Sequence, residues 1–295
     1  MKLKLSQERV GEIYIFLEAV IWGFFPILAL KSANSIPPLL SASLCMLLSL
    51  LLLFPLTLKK NDIKQVFRTN AFKYILASTF YVGVVFYSLV FIAGKYSHPI
   101  TVSILLLLEV PATFIVLRRK EAISTLQKFG GVLVLISAFL VMFNDNALFE
   151  WSSLLIVVAV FFAPLGNYYN KQARSHISST TFVFFRNVFT GLIIMVLSLL
   201  FEDLPTASQL KESMWFVVPN GIIVFGLSKI LWVEGIHRIT IGKAISLNAI
   251  FPLVTILASF AFLSKTPTVI QVFAFFPALI GVMILTKQVG PTKSQ

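Results

Sequence analysis

The stretch SILLLLEVPATFIVLRRKE, residues 103–121, decides the fold because it places a single carboxylate, Glu109, inside an apolar run. The run ends at Arg118, Arg119 and Lys120, roughly 13 Å of helix beyond Glu109 at about 1.5 Å per residue. A carboxylate in such a run has a different role if the run lies in lipid than if it lies in water. The role of Glu109 therefore depends on the solvent around the run.

The composition of the whole chain excludes water as its main solvent. Of the 295 residues, 58% are hydrophobic and only 12% are charged, whereas a soluble domain has about 25% charged residues. The net charge of +12 arises from short basic clusters between apolar segments, which favour an anionic lipid surface over nucleic acid as partner. The single cysteine, Cys45, excludes a disulfide framework and a cysteine metal site. These features predict an integral membrane protein that contacts lipid and no nucleic acid.

Apolar segments of about 18 to 24 residues, the length that crosses roughly 30 Å of hydrocarbon, recur ten times along the chain. Because backbone groups in lipid have to pair within their own segment, the segments are predicted to be helices. The predicted fold class is an all-α integral membrane protein with ten transmembrane helices. The segments lie near residues 12–30, 36–58, 71–93, 98–117, 126–143, 152–170, 180–201, 214–233, 240–263 and 268–286.

The distribution of Lys and Arg predicts how these helices are oriented. Most basic residues lie in the two termini and in alternate connections. The other connections contain only Lys31, Lys95, Lys211 and Lys265. Both termini are therefore predicted to be cytoplasmic, with the protein in a bacterial inner membrane.

The two halves of the sequence resemble each other. EVPATFIVL around Pro111 matches IFPLVTIL around Pro252, and AVIWGFFPILALK at 19–31 matches AVFFAPLGNYYNK at 159–171. Five helices per copy is an odd number, so the second copy is predicted to lie upside down relative to the first. The predicted units are two inverted five-helix repeats, residues 1–145 and 146–295. An inverted repeat is typical of carriers that alternate access to a site near the membrane midplane.

These motifs resemble the EamA repeat of the drug/metabolite transporter superfamily, and the resemblance covers nearly the whole chain. It rests on Trp22-Gly23 followed by Lys31, the Pro111 and Pro252 helices, Glu121 six residues before Gln127, and Arg186 near the start of helix 7. The sequence departs from the family pattern at Cys45, Phe162-Ala163 and Lys265, where Arg, Trp-Gly and Glu are expected. The resemblance implies a secondary carrier that moves small metabolites, often outward, driven by a proton gradient or by exchange.

Two carboxylates lie within the predicted helices. A charge at a helix centre costs about 2.5 to 3.5 kcal/mol on insertion scales, so such residues usually face a cavity or a partner. Glu109 is predicted to be a proton-titratable or cation-binding group of the pathway, or else a neutral, hydrogen-bonded residue that fixes helix packing. Glu18 shares a helix face with Tyr14 and Trp22, which indicates a polar wall with an aromatic platform. The alternative for Glu18 is a hydrated position near the membrane edge.

Lys229 and Arg186 are the candidate counter-ions. Lys229 is expected either to extend to the interface, or to pair with Glu109 or Glu18, or to hold a substrate carboxylate. Arg186 is expected to brace helix ends in a structural ion pair. Three uncharged residues complete the predicted substrate and ion pathway, which is lined by helices 1, 3, 4, 6, 8 and 9: Tyr81, Asn167 and Asn248.

Signals for catalysis are absent from the sequence, which contains no HExxH, GxSxG, P-loop or GxGxxG motif. We therefore expect no enzyme, no metal and no cofactor. The predicted function is alternating-access transport of a small polar metabolite, amino-acid-like or drug-like, with export and proton coupling and as a monomer or homodimer. The alternatives are a nucleotide-sugar or phosphate-sugar exchanger, and a non-transporting accessory membrane protein of the same fold.

Overall fold

The computed structural model describes residues 6–117, 125–142, 151–263 and 266–287. Within these ranges the regular structure is helical throughout, without a β-strand. Residues that figured in the sequence predictions but lie outside the described part of the chain are Arg118, Arg119, Lys120, Glu121 and Lys265.

Eight described helices are long and apolar enough to cross a membrane. Two further apolar helices occur in the described ranges, one near the middle of the chain and one near its C-terminus. The predicted all-helical membrane architecture is thus confirmed, whereas ten crossings in two inverted repeats stay a prediction. The eight are α1 (Gln7–Ala33), α2 (Pro38–Lys60), α3 (Ala71–Tyr96), α4 (Pro99–Val116), α6 (Trp151–Arg174), α7 (Ser179–Phe201), α8 (Ala207–Arg238) and α9 (Ile241–Leu263). The two further helices are α5 (Thr125–Val141) and α10 (Val269–Lys287).

The helices pack in a regular set of pairs. Contacts join α1 to α8, α2 to α7, α3 to α6, α4 to α9 and α5 to α10. This set of pairs is unchanged when the first five helices are exchanged with the last five. Such a pattern is what two related halves would produce.

Two of the long helices are interrupted in front of a proline, Pro111 in α4 and Pro252 in α9. Each proline lacks a backbone N–H, and its ring conflicts with the carbonyl four residues earlier. The interruptions leave half-helix ends inside the bundle. The half-helices are Pro99–Leu106 and Glu109–Val116 in α4, and Ile241–Asn248 and Phe251–Leu263 in α9.

Helix α1 is interrupted at Gly23, where α9 crosses it. A Cβ atom at this position would lie 2.5 Å from the Cβ of Val254, so only glycine permits the approach. The Thr255 hydroxyl donates a hydrogen bond of 2.7 Å to the Gly23 carbonyl. The break therefore exposes a backbone acceptor that a side chain of the crossing helix satisfies.

Helices α3 and α8 each contain a π-helical segment, Thr79–Phe86 and Asn220–Ser228. π-helical turns are rare, and they occur frequently at functional sites. The residues that directly follow the two segments are Tyr87 and Lys229.

Helices α2 and α7 run antiparallel, and each is capped at its N-terminus by a carboxylate that follows the other helix. Glu202 accepts hydrogen bonds of 2.8 and 2.9 Å from the backbone N–H groups of Leu39 and Leu40. At the opposite end, Asp62 accepts a bond of 2.6 Å from Ser178 N–H and a further bond from the Thr181 hydroxyl. Burial opposes ionisation of Asp62, but these hydrogen bonds prevail and hold the pKa of its carboxyl below the usual range.

Candidate functional site

A cavity of about 50 Å³ lies where seven helices meet. Its walls come from α1, α3, α4, α6, α7, α8 and α9, which includes all six helices that the sequence predicted to line the site and adds α7. The polar and aromatic residues in these walls include Glu18, Trp22, Tyr87, Glu109, Asn167, Asn170, Arg186, Lys229, Trp232 and Asn248. We call the four ionisable residues Glu18, Glu109, Arg186 and Lys229 the central cluster.

Glu18 and Lys229 form a buried ion pair between α1 and α8. The Lys229 Nζ lies 2.6 Å from Glu18 Oε1, and the side chains of Lys229 and Glu18 are 7% and 0% exposed. The Ser228 hydroxyl donates a bond of 3.0 Å to the same oxygen. The second oxygen, Oε2, is buried and has no hydrogen-bond partner in the described residues. Lys229 therefore lies inside the bundle and pairs with Glu18, one of the arrangements that the sequence left open.

The indole of Trp22 holds the Lys229 ammonium from one side. Nζ lies 3.6 Å from the centre of the Trp22 ring, a cation–π geometry that strengthens where water is excluded. The other face of Trp22 stacks on Phe25 at 4.4 Å between ring centres. Because Trp22 is one helical turn beyond Glu18, the two residues share a face of α1. Of the two aromatic residues predicted beside Glu18, Trp22 lines the cavity, whereas the Tyr14 ring lies 5.2 Å from the Arg238 guanidinium.

Glu109 belongs to a network of neutral polar side chains. Its Oε1 accepts a hydrogen bond of 2.8 Å from the Asn167 amide. Asn167 Oδ1 in turn accepts from Trp232 Nε1 at 2.9 Å and from the Asn170 amide at 3.2 Å. The Ser78 hydroxyl donates to Asn170. No basic side chain among the described residues forms an ion pair with Glu109, although Lys229 and Glu18 are near enough to interact electrostatically with it.

Glu109 is the first residue of the half-helix Glu109–Val116. The N-terminal end of a helix carries a partial positive charge, which favours a carboxylate within the first turn. The proline that interrupts α4 therefore also creates an electrostatic environment suited to the glutamate two residues before it. In membrane carriers, interrupted helices of this kind commonly surround the substrate.

Arg186 reaches the cavity from α7 and is 1% exposed. Its Nε and Nη2 both donate to the amide oxygen of Asn187, at 3.4 and 3.2 Å, and its guanidinium lies 5.6 Å from the Phe182 ring. The sequence prediction assigned Arg186 to a structural ion pair, but within the described ranges it forms none. Arg186 therefore lies deeper in the bundle than the sequence indicated.

Asn248 completes the cavity wall at the interruption of α9. Its Oδ1 atom is buried and accepts no hydrogen bond from the described residues. Asn248 and Glu18 thus each present one unpaired oxygen. Most buried polar atoms in proteins are hydrogen-bonded to protein or to ordered water, so these two oxygens are available to accept a hydrogen bond from water or from a ligand in the cavity.

Tyr81 is the one predicted pathway residue that lies away from the cavity. Its ring stacks on Tyr169 at 5.9 Å and leans on Phe162. Conversely, Asn170 and Trp232 line the cavity but were not singled out from the sequence. Asn170 had a signal, because it follows Asn167 by three residues and therefore shares its helix face.

A second group of charged residues lies at the ends of α6 and α8 and the start of α7. Both oxygens of Glu234 are occupied: Arg174 Nε donates to one at 2.9 Å together with the Ser179 hydroxyl, and Arg238 donates to the other. The basic side chains are 20 to 23% exposed. We call Arg174, Ser179, Glu234 and Arg238 the end cluster.

Eight helices that can cross a membrane surround a buried, charged cavity, which indicates an integral membrane protein. A family model described as "EamA-like transporter family" matches residues 9–143 and again residues 150–287. The chain therefore belongs to the EamA-like transporter family, and it is a membrane transporter. The family implies a small-molecule substrate and a lipid environment.

Two curated bacterial relatives are similar to this chain. "Uncharacterized transporter YoaV" of Bacillus subtilis (strain 168) is 22% identical over 238 residues, covering 76% of this chain and 79% of the relative. An "Uncharacterized transporter" of Buchnera aphidicola subsp. Schizaphis graminum (strain Sg) is 23% identical over 284 residues, covering 91% of both chains. A solved structure named "Crystal structure of protein" superposes with a TM-score of 0.70 at 15% identity, over 94% of this chain and 97% of that one. The structural match concerns the fold alone.

Among the described residues, no group of three or more His, Cys, Asp or Glu side chains has the proximity of a metal site. The four members of the central cluster are instead two carboxylates and two cations from four different helices. Such a set can bind and release charged groups of a solute, or protons, when the helices move relative to one another.

Proposed function

We propose that this transporter moves a small polar metabolite, amino-acid-like or drug-like, through the central cavity by alternating access. The observation that supports this most is the central cluster itself, because a buried charged site with unpaired oxygens is costly unless it has a ligand. The two halves would be inverted repeats of about five helices, residues 1–145 and 146–295. They would rock about the cavity so that it opens to each side in turn.

Glu109 is the proposed coupling group. It is bonded to a neutral amide and to no cation in the described part of the chain, so it can take up or release a proton without breaking an ion pair. Protonation would change the charge of the cavity by one unit, and it would thereby link substrate binding to the proton gradient. Glu18, which Lys229 and Ser228 hold, instead fixes α1 to α8.

The proposed direction of transport and the proposed membrane rest on the sequence. The basic loops favour cytoplasmic termini, and the family resemblance favours export across a bacterial inner membrane. An exchanger of sugar phosphates is the second candidate, because both Lys229 and Arg186 lie inside the bundle. Glu18 already neutralises Lys229, however, which leaves a single cation for a phosphate ester. An accessory protein without transport is disfavoured by a polar cavity that contains Glu109.

The test is transport by the purified protein in proteoliposomes with an imposed pH gradient. The panel consists of amino acids, amines, nucleosides and phosphorylated sugars. The wild type should accumulate one of these classes, and Glu109→Gln should abolish or uncouple the accumulation, because glutamine keeps the bond from Asn167 but cannot exchange a proton. Glu212→Gln, the same change at an exposed residue of α8, is the matched control.

The amount of protein inserted in the vesicles has to be equal for the three proteins. Full gradient-driven accumulation in Glu109→Gln would refute the coupling role. Accumulation of sugar phosphates alone would favour the exchanger.

A further inference from the structure

Arg186 differs from Arg174 and Arg238 in its hydrogen-bond partners. Its only hydrogen bonds within the described residues go to one neutral oxygen, that of Asn187. Arg174, by comparison, donates to both oxygens of Glu234 and to the carbonyl of Ile177. A guanidinium is a fork of donors that matches a carboxylate or a phosphate. At Arg186 most of that fork is left over for the cavity.

The position of Arg186 argues against a bracing role. It is fully buried in the middle of the packed bundle, and it is the residue through which α7 reaches the cavity. An isolated buried charge is costly, and proteins normally pair or neutralise it. If this position served stability alone, a neutral side chain would stabilise the protein more than an unpaired arginine does. The charge of Arg186 therefore points to a ligand.

Of the two cations in the central cluster, Arg186 is the one that forms no ion pair with a described residue. Lys229 is neutralised by Glu18 at 2.6 Å. On the other walls, the unpaired Oε2 of Glu18 and Oδ1 of Asn248 are acceptors without a donor in the described residues. Glu109 adds a carboxylate that Asn167 holds. The cavity thus offers a free cationic group from α7 and free oxygens from α1 and α9.

We propose that Arg186 binds the anionic carboxylate of the transported metabolite, while Glu18 Oε2 and Asn248 Oδ1 accept its N–H donors. This assignment rests on the proposed transport function and adds a specificity-determining residue to it. A compact zwitterion has a carboxylate for Arg186 and N–H donors for the two unpaired oxygens. A phosphate ester offers the same oxyanion chemistry, so the experiment has to separate the two sources.

The experiment compares ligand pairs that differ only in the carboxylate. Each amino acid of a standard set is tested beside its own carboxamide, which keeps the amine and the side chain. Sugar phosphates form a third arm. Dissociation constants come from ligand-induced shifts of the melting temperature of the detergent-purified, full-length protein. The proteins are the wild type, Arg186→Gln, Arg186→Lys and, as a matched control at an exposed site, Arg68→Gln.

At least one amino acid should bind the wild type and Arg68→Gln about 10- to 100-fold more tightly than its carboxamide, the range expected for charge-assisted hydrogen bonds. The ratio should fall to about 1 in Arg186→Gln and recover in part in Arg186→Lys, which keeps the charge but not the fork. A merely structural role would weaken both members of a pair alike and leave the ratio unchanged.

An unchanged ratio in Arg186→Gln would overturn the assignment. So would equal binding of amino acids and carboxamides by the wild type, stabilisation by sugar phosphates alone, or no stabilisation by any carboxylate. The wild-type ratio is informative even if Arg186→Gln fails to fold. Gradient-driven transport of an amine or nucleoside that depends on Glu109 would leave the proposed function standing while the role of Arg186 fails.

Discussion

The central cluster and the end cluster are built from the same kinds of side chain but differ in how completely they are paired. Glu234 in the end cluster uses both oxygens, on Arg174, Arg238 and Ser179, at a partly exposed position. Glu18 in the central cluster is fully buried, yet one of its oxygens is unpaired. Burial makes full pairing more valuable, so packing alone would produce the opposite order. The difference agrees with the proposal that the central cluster binds a ligand, whereas the end cluster holds helices together.

The largest effect is expected from Lys229→Met. Removal of one partner of a buried pair leaves an uncompensated charge and typically costs about 3–5 kcal/mol of unfolding free energy. Unfolding of the detergent-solubilised protein measures this loss. The exposed Lys211 provides the matched control, Lys211→Met, which should melt like the wild type.

The double variant Glu18→Gln/Lys229→Met sharpens this prediction. It contains no buried charge from the pair, so it should recover much of the stability lost in Lys229→Met. A single variant as stable as the wild type would mean that the Glu18–Lys229 pair is absent in the folded protein.

A smaller effect is expected from Glu234→Gln. Its two ion pairs are partly exposed to water, where such pairs contribute about 0.2–1 kcal/mol each. The stability loss should therefore be about 1 kcal/mol, and it should shrink further in high salt because of screening. Substrate affinity should stay close to that of the wild type. A loss as large as that of Lys229→Met would remove the distinction between the two clusters.

The smallest effect is expected from Asp62→Asn, at the N-terminus of α7. Replacement of a capping side chain by alanine typically costs about 0.5–2 kcal/mol, and asparagine keeps one acceptor oxygen, so the loss should lie near the lower end of that range. Because the pKa of Asp62 is lowered on folding, its contribution is present above the unfolded pKa of about 3.9 and is lost as the pH falls through the lower folded value.

Melting curves of the wild type and Asp62→Asn should therefore differ at pH 7 and converge in acid. A gap that stays constant down to pH 3 would contradict the assignment of Asp62 as an ionised cap.

Much of the fold was predictable because lipid imposes simple rules. Long apolar runs had to be helices, and the prolines at 111 and 252 marked the interrupted helices α4 and α9. Glu18, Glu109 and Lys229 were recognisable because a charge within an apolar run needs a cavity or a partner. Which carboxylate Lys229 would meet was not predictable, since Glu18 is 211 positions away and the choice depends on how α1 and α8 are rotated.

The positions of Tyr81 and Arg186 show where the sequence gave too little information. Tyr81 was predicted to line the pathway, but it lies within the π-helical segment Thr79–Phe86, whose longer repeat turns side chains to faces that α-helical spacing does not predict. Arg186 was expected to brace helix ends in a structural ion pair, because sequence does not give the depth of a residue in the membrane. Its hydrogen bonds go to the neighbouring Asn187, while the other walls of the cavity that it reaches come from helices far away along the chain.

Solvent access to Asn248 shows whether the central cavity opens to both sides of the membrane, as alternating access requires. Cys45 is the only cysteine and is fully buried, so Cys45→Ala provides the background for Asn248→Cys. The reagent is a membrane-impermeant methanethiosulfonate, applied to right-side-out and to inside-out vesicles. Lys60→Cys, at an exposed helix end, shows from which side the reagent reaches an exposed thiol. Phe273→Cys, on the outer surface of α10, is the control for a thiol on apolar surface, which should stay unlabelled.

Asn248→Cys is expected to be labelled from both sides, whereas Lys60→Cys should be labelled from one side only and Phe273→Cys from neither. Labelling of Asn248→Cys from a single side, or from neither side while Lys60→Cys reacts, would contradict alternating access through the central cavity.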